Sequence, residues 1–74
     1  MIKFKLAEML ENRGKTMYWL SKETGVRPNT ISQWVNNEQL DEDKKVKSIS
    51  VEVLDKFCIA LNCKIEDLLT VVKN

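Results

Sequence analysis

The chain contains no histidine, one proline, two glycines and two cysteines in 74 residues. Without histidine it lacks both the commonest general base and the commonest metal ligand, so catalysis is not expected. Cys58 and Cys63 lie five positions apart, a spacing that does not stack side chains on one face of a helix. Two thiols alone also make a poor metal site. They read instead as small apolar residues of the interior, and no metal or cofactor is expected. No long uncharged apolar run is present, so no membrane-spanning helix is expected. The opening Met1-Ile2-Lys3-Phe4-Lys5-Leu6 carries charges inside its apolar stretch and has no cleavage-like site, unlike a signal peptide. A cytoplasmic protein is expected. A dominant charge sign is missing too, since 12 Lys and Arg oppose 11 Asp and Glu for a net charge of +1.

What the chain does have is enough apolar residues for one small core. A domain of this size buries only about 60% of the surface exposed when unfolded, so short helices rich in Leu, Ile, Val and Met are needed. Residues 1–74 read as a single all-α domain of five helices. The first, Lys3 to Arg13, repeats Ile2, Leu6 and Leu10 at intervals of four, with Phe4, Ala7 and Met9 widening the stripe. Gly14 suits a left-handed stop. Thr16 caps the second helix, which runs to about Glu23. Pro28 fits the first position of the third, which leaves Arg27, a poor capping residue, at the cap; Asn29 is the alternative cap if that helix begins later. Ser50 caps the fourth, with Ile49 and Leu54 spaced as a hydrophobic staple. Val51, Leu54, Phe57, Cys58 and Leu61 line one face of that helix, and Asn62 suits a left-handed end. Ile65, Leu68, Leu69 and Val72 give the fifth helix. Between the third and fourth lies a polar connection, residues 36–49, that is long for so small a domain and reads as a solvated loop.

The segment from Thr16 to Asn37, T-M-Y-W-L-S-K-E-T-G-V-R-P-N-T-I-S-Q-W-V-N-N, is the most informative. Leu20 and Thr24 precede the turn, Val26 follows it, and Ile31 and Trp34 continue at helical spacing. Ser21 is small where two helices cross, and Gly25 takes positive φ without a Cβ clash. This is the spacing of a helix-turn-helix, whose second helix enters the DNA major groove. Charge gathers there as well: from Arg13 to Val35 the cations are Arg13, Lys15, Lys22 and Arg27, against Glu23 alone.

These residues resemble the Cro and phage-repressor, or Xre-like, family of helix-turn-helix domains from about Lys3 to Leu69. Besides T-M-Y-W-L-S-K-E-T-G-V-R-P-N-T-I-S-Q-W, the block S-V-E-V-L-D-K-F-C-I-A-L-N-C-K-I-E-D-L-L looks like the family's last two helices. The resemblance implies a compact five-helix repressor-like fold that reads double-stranded DNA with its second and third helices. It assigns Pro28, Asn29, Thr30, Ser32 and Gln33 to the base-reading surface, makes Ile31 and Trp34 buried, and gives Thr16 and Asn36 to the DNA backbone. Departures are visible. Met17 stands where a phosphate-bracing Gln is usual, Arg27 where a small capping hydroxyl is usual, Val35 where an acid is common and Asn37 where glycine is common.

Chemistry supports part of that assignment. Asn29 and Gln33 are four apart and project from one helix face. Their carboxamides both donate and accept, matching the N6/N7 edge of adenine. Lys22 and Arg27 suit phosphates, as does the N-terminus of the third helix. Ile59 and Val71 fall off their helices' apolar stripes, which a two-fold homodimer would explain. Trp19 points away from the buried face of the second helix and is expected to pack back onto the first. The expected function is a small Cro-like repressor; the competing one is a protein-interaction or antitoxin-like module. No small-molecule effector site is evident.

Overall fold

The computed structural model describes residues 1–73, and it departs from an all-α fold at both ends. Strand β1 (Ile2–Phe4) leads to α1 (Leu6–Asn12), α2 (Met17–Thr24), α3 (Pro28–Val35), α4 (Val51–Leu61), α5 (Ile65–Leu68) and strand β2 (Leu69–Val71). The strands pair antiparallel, with Ile2 opposite Val71 and Phe4 opposite Leu69. The first helix therefore begins at Leu6 rather than Lys3, and the fifth ends at Leu68 rather than running on to Val72. Alternation in Ile2-Lys3-Phe4 and the β-branched Thr70-Val71-Val72 favour extended backbone, and pairing satisfies the backbone groups that face across the ladder.

The core is Leu6, Met9, Leu10, Leu20, Val26, Ile31, Trp34, Phe57, Leu61 and Leu68, with Phe4, Trp19, Val46, Ile49, Leu54 and Cys58 packed around it. Trp34 lies at its centre. Its ring is 4.8 Å from Phe4 and 4.9 Å from Phe57, the latter nearly perpendicular at 88°. Such contacts, tilted at 45° with Phe4 and edge-to-face with Phe57, add to simple burial. They fasten α3 to β1 on one side and to α4 on the other.

Several apolar expectations fail in an instructive way. Ile2, Val51 and Ile65 were expected on buried stripes but are exposed. Val51 and Ile65 are the first residues of α4 and α5, where the helical face has not yet turned toward the core, and Ile2 opens strand β1 instead of lying on a helix. Ile59 is exposed, in keeping with its position off the stripe of α4, whereas Val71 is exposed in β2, so the helical stripe expected there does not exist.

The ends of the helices follow the chain's local chemistry. Gly14 and Gly25 take positive φ at the ends of α1 and α2, and Asn62 does so after α4. Thr16 and Ser50 cap α2 and α4 by accepting from Trp19 N–H at 3.0 Å and Val53 N–H at 3.4 Å. Asn62 also changes the cysteine geometry. Cys63 N–H donates to the Cys58 carbonyl at 3.0 Å and Asn62 N–H to Ile59 at 3.2 Å, a Schellman ending. The spacing argument for an unbroken helix thus does not apply, because the chain folds back at Asn62 and returns Cys63 to Cys58.

The 36–49 connection is more ordered than a bare solvated loop. It forms single 3-10 turns at Asn37–Gln39 and Glu42–Lys44. Asn37 is the one buried polar residue among those described. Its Oδ1 accepts from Val46 N–H at 2.8 Å, which pins the returning chain where Val46 and Ile49 meet the core. The glycine common at that position in the family could not make this bond.

Candidate nucleic-acid interface

The turn between α2 and α3 is fixed by two hydroxyls of α2. Ser21 Oγ donates to the Val26 carbonyl at 2.9 Å. Thr24 Oγ1 donates to the Leu20 carbonyl at 2.6 Å and accepts from Val26 N–H at 3.1 Å. Val26 is buried, so both of its backbone polar groups need partners, and α2 supplies them. With Gly25 at φ 73°, this sets the angle at which α3 leaves the turn.

Helix α3 then divides cleanly. Ile31 and Trp34 are buried, while Pro28, Asn29 and Gln33 are exposed and Thr30 and Ser32 half-buried. Pro28 occupies the first helical position and Arg27 the cap, without a capping side chain, in agreement with the sequence. Asn29 and Gln33 share the outward face and have no partner within the described residues, leaving both carboxamides free for an external ligand. Ser32 is different, because its Oγ accepts from Asn36 Nδ2 at 3.3 Å. That bond orients the Asn36 amide and occupies one lone pair of Ser32, so the two act as one unit at the end of α3.

The expected backbone-contacting residues fall at both ends of the unit. Thr16 is exposed, and its Oγ1 already accepts the capping bond, which leaves its hydroxyl hydrogen to donate outward. Arg27 is exposed and forms no ion pair among the described residues. Lys22 is exposed too, with its Nζ 5.4 Å from the Tyr18 ring centre. Lys15 Nζ lies 4.9 Å over Trp19, itself half-buried against the core. At these distances cation–π attraction holds each ammonium over a ring while leaving its outer side hydrated. Tyr18 was not singled out from the sequence, although its i, i+4 spacing to Lys22 was a readable signal.

One cation leaves the group. Arg13 Nε donates to the Leu61 carbonyl at 2.9 Å, with Nη1 on the Met9 sulfur. It neutralises the carbonyl end of α4 rather than extending the recognition surface. The cationic surface around α2 and α3 therefore rests on Lys15, Lys22 and Arg27, with Glu23 the opposing acid. In the connection, Lys45 pairs with Glu42 at 3.0 Å and Lys3 with Glu38 at 3.6 Å, which offsets part of the acidic charge there.

Similarity to known proteins agrees with this arrangement. No curated protein matches the chain. Among solved structures, the crystal structure of a presumed DNA-binding protein from Bacteroides fragilis is similar at 26% identity and a TM-score of 0.72, covering 95% of this chain and 100% of that one. The family model for the Cro/C1-type helix-turn-helix DNA-binding domain matches residues 5–74. The chain belongs to the Cro/C1-type helix-turn-helix DNA-binding domain family.

Proposed function

We propose that this protein is a sequence-specific double-stranded DNA-binding transcriptional regulator, a small Cro-like repressor that occupies an operator in the cytoplasm and blocks polymerase. The observation that carries this reading is the division of α3: a buried Trp34 and Ile31 hold the helix rigidly while Asn29 and Gln33 stay free on its outer face. Asn29 and Gln33 read base edges, each good bidentate pair contributing about 1–3 kcal/mol of discrimination. Pro28, Thr30 and Ser32 complete the groove-facing surface. Thr16, Lys22, Arg27 and Asn36 hold phosphates, which fixes register without carrying sequence information.

A homodimer fits this reading, because two-fold symmetry doubles a small contact surface and gives a palindromic site with half-sites one helical turn apart. Ile59 and Val71 are among the exposed apolar side chains that such an interface could cover. No effector or cofactor is invoked.

Selection of bound duplexes from a random pool tests the whole reading, since it reports binding, site sequence and dyad symmetry together. Affinity should fall with salt, with a log–log slope of about −4 to −5 for four to six phosphate contacts per subunit. No retention of duplex at low salt would overturn it in favour of a protein-interaction module. A monomer in sedimentation, both free and on DNA, would overturn the dimer alone.

A further inference from the structure

Away from the helix-turn-helix, the two cysteines of the chain meet at the corner between α4 and α5. The left-handed Asn62 ends α4 and turns the chain back, and the 3.0 Å bond from Cys63 N–H to the Cys58 carbonyl draws the two Cα atoms together. This is the close pairing of the fourth-last helical residue with the second residue past the end that a Schellman corner produces. Both thiols are half-buried rather than sealed. Both line one open groove of about 310 Å³, whose apolar walls include Val51, Leu54 and Ile65. Burial raises the Cys63 thiol pKa, and the neighbouring Cys58 and Asp67 raise it further, while the Arg13 guanidinium opposes them. Asp55 and Lys64 also line the groove, so the charged groups around the pair are Arg13, Asp55, Lys64 and Asp67.

We propose that Cys58 and Cys63 form a modification site: a dithiol that a peroxide oxidises to an intramolecular disulfide across the α4–α5 corner. One thiolate attacks a peroxide oxygen, the O–O bond breaks, and a sulfenic acid forms as water leaves. The second sulfur then attacks the sulfenic sulfur, the S–O bond breaks, and a second water departs with both thiol protons accounted for. Two thiols and one hydrogen peroxide thereby give one disulfide and two waters, the two electrons passing from sulfur to peroxide oxygen. The bond closes covalently the corner that leads through α5 into β2, and a dithiol reductant reverses it.

The purified 74-residue chain treated with stoichiometric hydrogen peroxide, then unfolded, alkylated and weighed, supplies the test. The expected product is a monomer lighter by two hydrogens that takes up no alkyl group and regains both alkylation sites after dithiothreitol. A cysteine carrying added oxygen beside an alkylated partner, a disulfide-linked dimer as the main product, or two fully alkylated thiols would each overturn the proposal. Cys58→Ser and Cys63→Ser, checked for folding by circular dichroism, should lose the intramolecular product and gain oxygen or linked dimer instead. A control without substitution compares the native chain with the same chain in guanidinium. The share of oxidised chain that carries the intramolecular disulfide, rather than added oxygen or a link between chains, should fall once the corner is lost, and an equal or larger share would overturn the role of the fold.

Discussion

The Ser21 hydroxyl of α2 donates to the Val26 carbonyl at 2.9 Å, so a side chain expected only to be small at a helix crossing also ties down the turn. Thr24 holds the N–H of the same residue at 3.1 Å. Thr24→Val strands the buried N–H and Ser21→Ala the buried carbonyl of Val26, and each should cost about 1–3 kcal/mol. Urea unfolding reads both. Loss of DNA affinity beyond the change in folded fraction would show that the turn sets the pose of α3 as well as its stability.

Trp34 should be the most costly side chain to remove. Large aromatic truncations in a core cost about 3–5 kcal/mol, comparable with the whole stability of a small domain at the low end of about 5–15 kcal/mol. Trp34→Ala should be largely unfolded by circular dichroism near body temperature, whereas Trp34→Phe should stay folded with a lower urea midpoint. A folded, cooperatively melting Trp34→Ala would contradict its place between Phe4 and Phe57.

Asn37→Gly, which installs the residue common in the family, should destabilise this chain by about 1–2 kcal/mol, because it removes the acceptor of the Val46 N–H. Amide exchange at Val46 should accelerate more than exchange in α4. Unchanged protection at Val46 would mean that the connection is held by apolar contact alone.

On DNA, two classes of substitution should separate. Asn29→Ala and Gln33→Ala should flatten base preference at one or two positions, by about 1–3 kcal/mol each, and leave nonspecific binding intact. Lys22→Gln and Arg27→Gln should weaken binding to all sequences alike and lower the salt slope by about one unit each. Fluorescence anisotropy on specific and scrambled duplexes across a salt series measures both. A uniform loss for Gln33→Ala would remove it from the base-reading set.

Much of this architecture was readable because its signals are local. Gly25, Pro28, Thr16 and Ser50 each act within a turn of their own position, and the expected caps and stops stand where they were placed. The buried face of α3 follows from the spacing of Ile31 and Trp34. What escaped involves distant partners. Residues 2–4 and 69–71 each carry too short a pattern to announce a strand, and they become one only by meeting across the whole chain. Arg13 counted as a recognition cation until Leu61, far along the sequence, claimed it. The five-residue cysteine spacing misled because helical geometry was carried past the residue that ends the helix. In the candidate site, the exposed carboxamides were legible as chemistry, but the coupling of Ser32 to Asn36 depends on rotamers that no pattern specifies.

The pairing of β1 with β2 bears on how this small protein would respond to force. Met1 N–H and Val72 C=O meet at 3.1 Å although they are 71 positions apart, and the strands run antiparallel from that point inward. Tension applied at Met1 and Val72 therefore loads the rungs of the ladder one after another, as a zipper is opened, rather than all together in shear. The clasp should part at low load while Trp34 still holds the helices together, leaving a partly opened molecule whose DNA-facing half is intact.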